Sequence, residues 1–250
     1  TTLTWLFTGE PGSRRASFLV NHPAELFAEC EDVSWLNTNR LNASAYDGQI
    51  RELPAELLAQ LAACVQRRPA AVHDARNALR LLVAHAGPAL YAAPAPAPAP
   101  LDTLFAALGA VLASDACCAC VQQLVSTCKV LEAAVLAAPA PQHPRVAYYL
   151  PALVQLACTR LASSNSSGTG ALQLPPLSCA ALVKAVAACL VQNAPVVLAQ
   201  LGAGLWAPFH AQLRAQRHRL ALPDDKKTVA LALAAVVRTP RAALPPGVCA

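Results

Sequence analysis

Apolar residues recur along this chain at helical intervals. Leu57, Leu58, Leu61 and Val65 lie at spacings of one, three and four, which gathers them on one face of a helix over 54–67. Val72, Ala75, Leu79 and Leu82 repeat the pattern over 70–86, with Asp74, Arg76 and Arg80 off the stripe, and Gly87-Pro88 is expected to end that helix. The same periodicity predicts helices over 102–113, 114–138, 144–163, 176–193, 195–220 and 223–238. Their separators are rich in Pro, Ser or Gly: APAPQHP, SSNSSGTG, Ala194-Pro195 and Leu222-Pro223. Nearer the start, residues 1–20 read as irregular. Residues 21–36 read as a short helix with Asn21 as N-cap and Pro23 in its first turn. Its Leu26, Phe27 and Trp35 sit among Glu25, Glu29, Glu31 and Asp32, and a polar loop is expected from Asn37 to Gly48. No stretch alternates as a strand would.

The run APAPAPAP at 93–100 cannot be helical throughout, because alternate prolines fix φ and remove donors. It predicts an extended spacer between an amino-terminal segment, 1–92, and a helical part, 101–250. Helix starts near 101, 144, 177 and 223 are separated by roughly 35–45 residues, the period of two-helix repeats. The predicted fold class is therefore all-α, a HEAT/armadillo-like α-solenoid of antiparallel helix pairs.

Composition sharpens this picture. Hydrophobic residues make up 56% of the 250 and charged residues 13%, with alanine and leucine dominant, which excludes a disordered chain. Aromatic residues at 5% argue against a β-sandwich or barrel. Residues 185–213 carry no formal charge and are long enough to span a bilayer. Pro195 splits that run and Gln192, Asn193, Gln200 and His210 interrupt it, so a buried helix pair is expected rather than membrane insertion. Methionine is absent and the chain starts at Thr1 without a signal-peptide pattern, which points to a piece of something longer. Most of the ten cysteines fall inside apolar helical patterns and read as buried free thiols, implying a reducing compartment. A net charge of +5 without a basic stripe argues against direct nucleic-acid binding.

Candidate chemistry is sparse. GAGLWA at 202–207 fits the Gly-x-Gly-x-x-Ala phosphate turn, with Asp224 and Asp225 about twenty residues on. A glycine elbow between two helices explains it better, because no βα alternation surrounds it. Cys117 and Cys120 have CxxC spacing beside Cys118 and Cys128, but no second ligand pair completes a zinc site. Histidines 22, 73, 85, 143, 210 and 218 are dispersed, and neither GxSxG, HExxH nor GxxxxGK is present. No catalytic, cofactor or metal site is assigned, and an enzyme is not expected. Arg14-Arg15-Ala16-Ser17 has the form of a basophilic kinase site, and Asn42-Ala43-Ser44 and Asn165-Ser166-Ser167 are glycosylation sequons. Arg214, Arg217 and Arg219, with His218, form the one basic cluster. They suit a helix C-terminus and offer a grip for an acidic partner.

Three stretches resemble the importin-β (karyopherin) superfamily, nearest its importin eleven branch in plants and algae. In HPAELFAECEDVSW, Pro23, Phe27, Glu29, Glu31, Asp32 and Trp35 resemble a Pro-Glu-x-Phe element followed by acids and a Trp, with Phe27 one position late. LSCAALVKAVAACLVQNAPVVLAQL (177–201) is similar to a late HEAT repeat, and PDDKKTVALALAAVV (223–237) to a recurring helix of those proteins. Their order agrees with the family, but the long stretch the family carries between them is missing. The resemblance implies a piece of a nuclear transport receptor that binds protein cargo and nucleoporins and moves between nucleus and cytoplasm. The repeats that bind the GTPase Ran in that family have no counterpart here, so Ran binding is assigned to no residue. The alternative is a helical scaffold or adaptor subunit of a large organellar or cytoskeletal assembly.

Overall fold

A computed structural model describes residues 54–92, 99–164, 173–241 and 244. The predicted helix over 21–36, the Arg14–Ser17 motif, both sequon asparagines and most of the spacer lie outside the described residues. Among the described residues every regular element is helical.

Helix α1 spans Pro54–Arg67 and buries Leu58, Leu61, Ala62 and Val65. A 3-10 turn, Pro69–Ala71, reverses the chain into α2, Val72–Ala92. The expected stop at Gly87-Pro88 is not observed, for α2 runs through it. An internal proline costs about 3 kcal/mol. The turn beyond it is held by tertiary contacts: Leu90 and Tyr91 are buried, the Tyr91 hydroxyl donates to the Ala134 carbonyl, and Arg145 donates to the Leu90 carbonyl.

Helix α3, Pro100–Ala113, takes the last residue of the predicted spacer as its first. Pro100 needs no N–H there, and the Asp102 carboxylate accepts from the N–H of extended Ala99 at 2.9 Å. The single helix expected over 114–138 is two. The short α4, Asp115–Ala119, is followed by α5, Val121–Leu136, with a break at Cys120 (φ −88°, ψ 110°). Ser114 is extended and accepts from the Cys117 N–H, so a capping serine separates α3 from α4. Arg160 donates to the carbonyls of Leu112 and Ala113 and pairs with Asp115, closing the end of α3 against α4.

Helix α6 spans Pro144–Ser163, as the spacing predicts. Helix α7 spans Pro176–Gln216, but its backbone leaves helical geometry at Asn193 and Gly202. The break at 193 corresponds to the predicted Ala194-Pro195 separator. The Asn193 side chain accepts from the Val196 N–H at 3.3 Å, so it caps the segment that follows. The end falls at 216 rather than 220, because Arg219 and Leu220 turn back to the Gln216 carbonyl while Leu220 is buried. Helix α8 is Pro223–Arg238, as predicted.

Pairs of contacts give the relative directions of these helices. Arg145 lies 3.9 Å from Asp102, and Arg160 bonds Leu112, so α6 runs in the same direction as α3. His73 lies 3.0 Å from Ser126, and Tyr91 bonds Ala134, so α2 and α5 also run together. By contrast, Gln142 bonds the Gln192 carbonyl and Ser164 meets Cys179, so the first part of α7 returns antiparallel to α6. After Asn193 the direction reverses again, with Gln200 on Gln155 and Gln212 on Ser164. Helix α1 packs on α2 and α3, α3 on α6, α5 on α2 and α7, and α8 on α7. One continuous core joins them, with Phe105 of α3 stacked on Tyr149 of α6 at 5.2 Å. Pro176–Gly202 is long and apolar enough to cross a membrane, and 72% of its most apolar window is buried in this core.

Candidate interaction surface

Arg214 occupies the last turn of α7, and Arg217 and Arg219 lie in the turn to α8. All three are exposed, as is His218, and Lys226 and Lys227 are exposed in the first turns of α8. The cluster therefore stands at a helix C-terminus, where cations complement the backbone dipole.

The other motifs resolve structurally. Residues 196–201, before GAGLWA, are helical, and Gly202 adopts φ +51° and ψ −163° at an elbow between helical segments. A dinucleotide turn needs a strand at that point. Cys117 is buried, whereas Cys120 is half-buried at the α4–α5 break. Among the described residues no three His, Cys, Asp or Glu side chains converge as metal ligands. His73, His143, His210 and His218 belong to different neighbourhoods: His73 meets Ser126, His143 packs edge-on against Tyr91, and His210 stacks on Trp206.

All eight described cysteines are free thiols. Cys118, Cys128, Cys158 and Cys189 come from α4, α5, α6 and α7 and lie within the core. Burial pushes each thiol up, Cys158 to about 12, so the protonated form dominates at neutral pH. Such thiols pack as small hydrophobes and make poor nucleophiles.

A charged ridge across α2, α5, α7 and α8 is what spacing did not reveal. Lys184, in the otherwise uncharged stretch from 176 to 213, places its ammonium 3.1 Å from Glu132 Oε1 and 2.5 Å from Asp225 Oδ1. Their side chains are 22%, 17% and 11% exposed, which makes this a largely desolvated cluster joining three helices. Burial raises the Glu132 carboxyl above its usual range and outweighs the opposing pull of Lys184; the Asp225 charge adds to the rise. Burial works against charged Lys184 too, but the hydrogen bonds and charges of Asp225 and Glu132 win and raise its pKa.

Arg76, Arg80 and Lys129 flank this cluster. Arg76 and Arg80 are four residues apart on one face of α2, and Lys129 is exposed on α5 beside them. Burial, then the charges of Arg76, Arg80 and Lys184, depress the Lys129 pKa, with Glu132 opposing. Among the described residues, no carboxylate lies within ion-pair distance of these three side chains. The legible signal was isolation: Lys129 and Glu132 are the only charges in α5, and a charge in an apolar helix needs a partner or water.

Fold and surface define, among the described residues, an all-helical architecture with charged side chains on its helix faces. The chain matches no family model, no curated protein and no solved structure.

Proposed function

We propose that this chain is a HEAT-like solenoid segment that binds proteins, and that it serves as part of a nuclear transport receptor. The order of helix directions carries the reading. Helices α1, α3, α6 and the second part of α7 form one file, and α2, α5, the first part of α7 and α8 form the other. Helix α6 and the first part of α7 run antiparallel, whereas the successive helices α3 and α6, like α2 and α5, run together. First helices then begin at 54, 100, 144 and 194, at intervals of about 44 to 50 residues, close to the period of HEAT and armadillo repeats. In this phasing the helix starts at 176 and 223, near those expected at 177 and 223, belong to second helices of pairs. Stacked pairs offer a long surface and work by binding, without catalytic chemistry.

The transport role rests on the family resemblance of the segments at 22–35, 177–201 and 223–237. Its test is binding of purified chain to a phenylalanine–glycine-rich nucleoporin fragment, measured by interferometry beside a Phe→Ser version of that fragment. Saturable binding lost in the Phe→Ser version supports the receptor reading. No binding to either, together with recovery from cells only in a stable large assembly, favours the scaffold reading.

A further inference from the structure

We propose that the ridge formed by Arg76, Arg80 and Lys129 is a docking surface for an acidic peptide segment of a protein partner. Three observations on α2 and α5 carry it, and none depends on a role in nuclear transport. The first is placement. Helices α2 and α5 run side by side in the same direction, tied by His73 on Ser126 and Tyr91 on Ala134. That registers the Arg76–Arg80 face of α2 with the Lys129 face of α5. The second is charge balance. Lys184, the fourth cation of the neighbourhood, is paired with both Glu132 and Asp225, whereas Arg76, Arg80 and Lys129 have no carboxylate within ion-pair distance among the described residues. Among the described residues Arg76 donates to the Asn77 side chain, at 3.3 Å. Three like charges whose nearby carboxylate, Glu132, is already paired with Lys184 favour an incoming anion.

The third observation selects the class of anion. Glu132 lies within the electrostatic reach of both Lys129 and Arg80, so the ridge ends in negative charge. A nucleic-acid strand, charged at every residue, would run onto that carboxylate. Leu136, seven residues beyond Lys129 and on the same face of α5, is 39% exposed. A short peptide can set its carboxylates on the three cations and an uncharged, apolar side chain over Glu132 and Leu136, which a uniformly charged strand cannot do. No aromatic side chain accompanies these cations in α5, where stacking against bases would need one.

The test uses the full chain and a fluorescein-labelled peptide of alternating Glu, Asp and Leu, with an isosteric Gln/Asn peptide as control. Fluorescence anisotropy reads binding at low and physiological salt. The acidic peptide is expected to bind, the control peptide not, and affinity is expected to fall as salt rises. Arg80→Gln with Lys129→Gln is expected to weaken binding about tenfold, each exposed pair contributing up to about fivefold. Both side chains are exposed, and unchanged circular dichroism would show that the variant folds. Arg214→Gln with Arg217→Gln is expected to leave the affinity unchanged. The proposal is overturned if the ridge variant binds the peptide as well as the parent chain, or if loss follows the Arg214/Arg217 variant instead. Tighter, ridge-dependent binding of a single-stranded RNA or of phosphatidylserine vesicles overturns it too, in favour of that partner.

Discussion

Lys184 shows how one side chain can join three helices. Its ammonium is the shared partner of Glu132 and Asp225, which would otherwise face each other across α5 and α8. Replacing it by methionine keeps the aliphatic packing and removes the charge. Exposed ion pairs contribute about 0.2–1 kcal/mol and breaking a buried one costs about 3–5, so Lys184→Met is expected to cost about 2 kcal/mol at pH 7.5 by urea denaturation. The deficit shrinks at pH 5. Glu132 already holds its proton to a higher pH than usual, and without Lys184 it would hold it higher still. Protonation then relieves the repulsion in the variant, and an equal deficit at both pH values would contradict this account. Wild-type Lys184 has the opposite range. Its folded pKa is raised, so its contribution is complete below about pH 10.4 and is lost as pH climbs through the folded value.

The thiols are the other residue-scale determinant. Cys118, Cys128, Cys158 and Cys189 keep their protons in the fold at pH values where unfolded thiols, with pKa near 8.5, lose theirs. The stability they confer is full below about pH 8.5 and drains away as pH rises through the folded values, the window for Cys158 running to about 12. Each fully protected thiol is expected to cost about 1–2 kcal/mol of stability between pH 8 and 10. Iodoacetamide labelling followed by mass spectrometry gives a direct check. Among the described cysteines, Cys64 and Cys120, both half-buried, are expected to react first, and Cys128 and Cys189 only after unfolding.

At the scale of the element, the breaks in α7 test what separates its segments. Gly202 has φ +51° and ψ −163°, a region open essentially to glycine alone. Gly202→Ala is expected to destabilise by about 1–3 kcal/mol although a new Cβ there would meet nothing within 4 Å. Gly204, two residues on, is helical and exposed with equally open space. Gly204→Ala is expected to stabilise by about 0.5–1 kcal/mol, because alanine has the higher helix propensity. Thermal unfolding of the two variants should therefore shift in opposite directions. Asn193→Ala removes the cap on Val196 and is expected to cost about 1 kcal/mol. Both breaks carried signals in sequence, Asn-x-Pro at the first and Gly-x-Gly at the second. The continuation of α2 through Gly87-Pro88 carried the opposite signal, and contacts with residues 134 and 145 override it.

Over the whole molecule, neighbours are the source of stability. Helix α8 packs chiefly on α7 and leaves Leu231, Leu233 and Val237 exposed, whereas α5 packs against α2, α3 and α7 and is buried along much of its length. Hydrogen exchange should follow that asymmetry, with amides of α8 exchanging well before those of α5. Equal protection across both helices would mean that the fold opens only as one cooperative unit.

Local pattern alone was enough to determine the helical class, the limits of α1, α6 and α8, and the burial of most thiols. Those features follow from spacing, prolines at helix starts and apolar surroundings, all of which act between near neighbours in the chain. Arg214, Arg217 and Arg219 were legible as a cluster for the same reason, being close in sequence. The ridge was not, because Arg76 and Lys129 are brought together by the packing of α2 on α5, and Lys184 meets Asp225 only across helices. The direction of each helix was also beyond local reading. Spacing gives a helix its apolar face, but only the neighbour that covers that face decides which way the next helix runs.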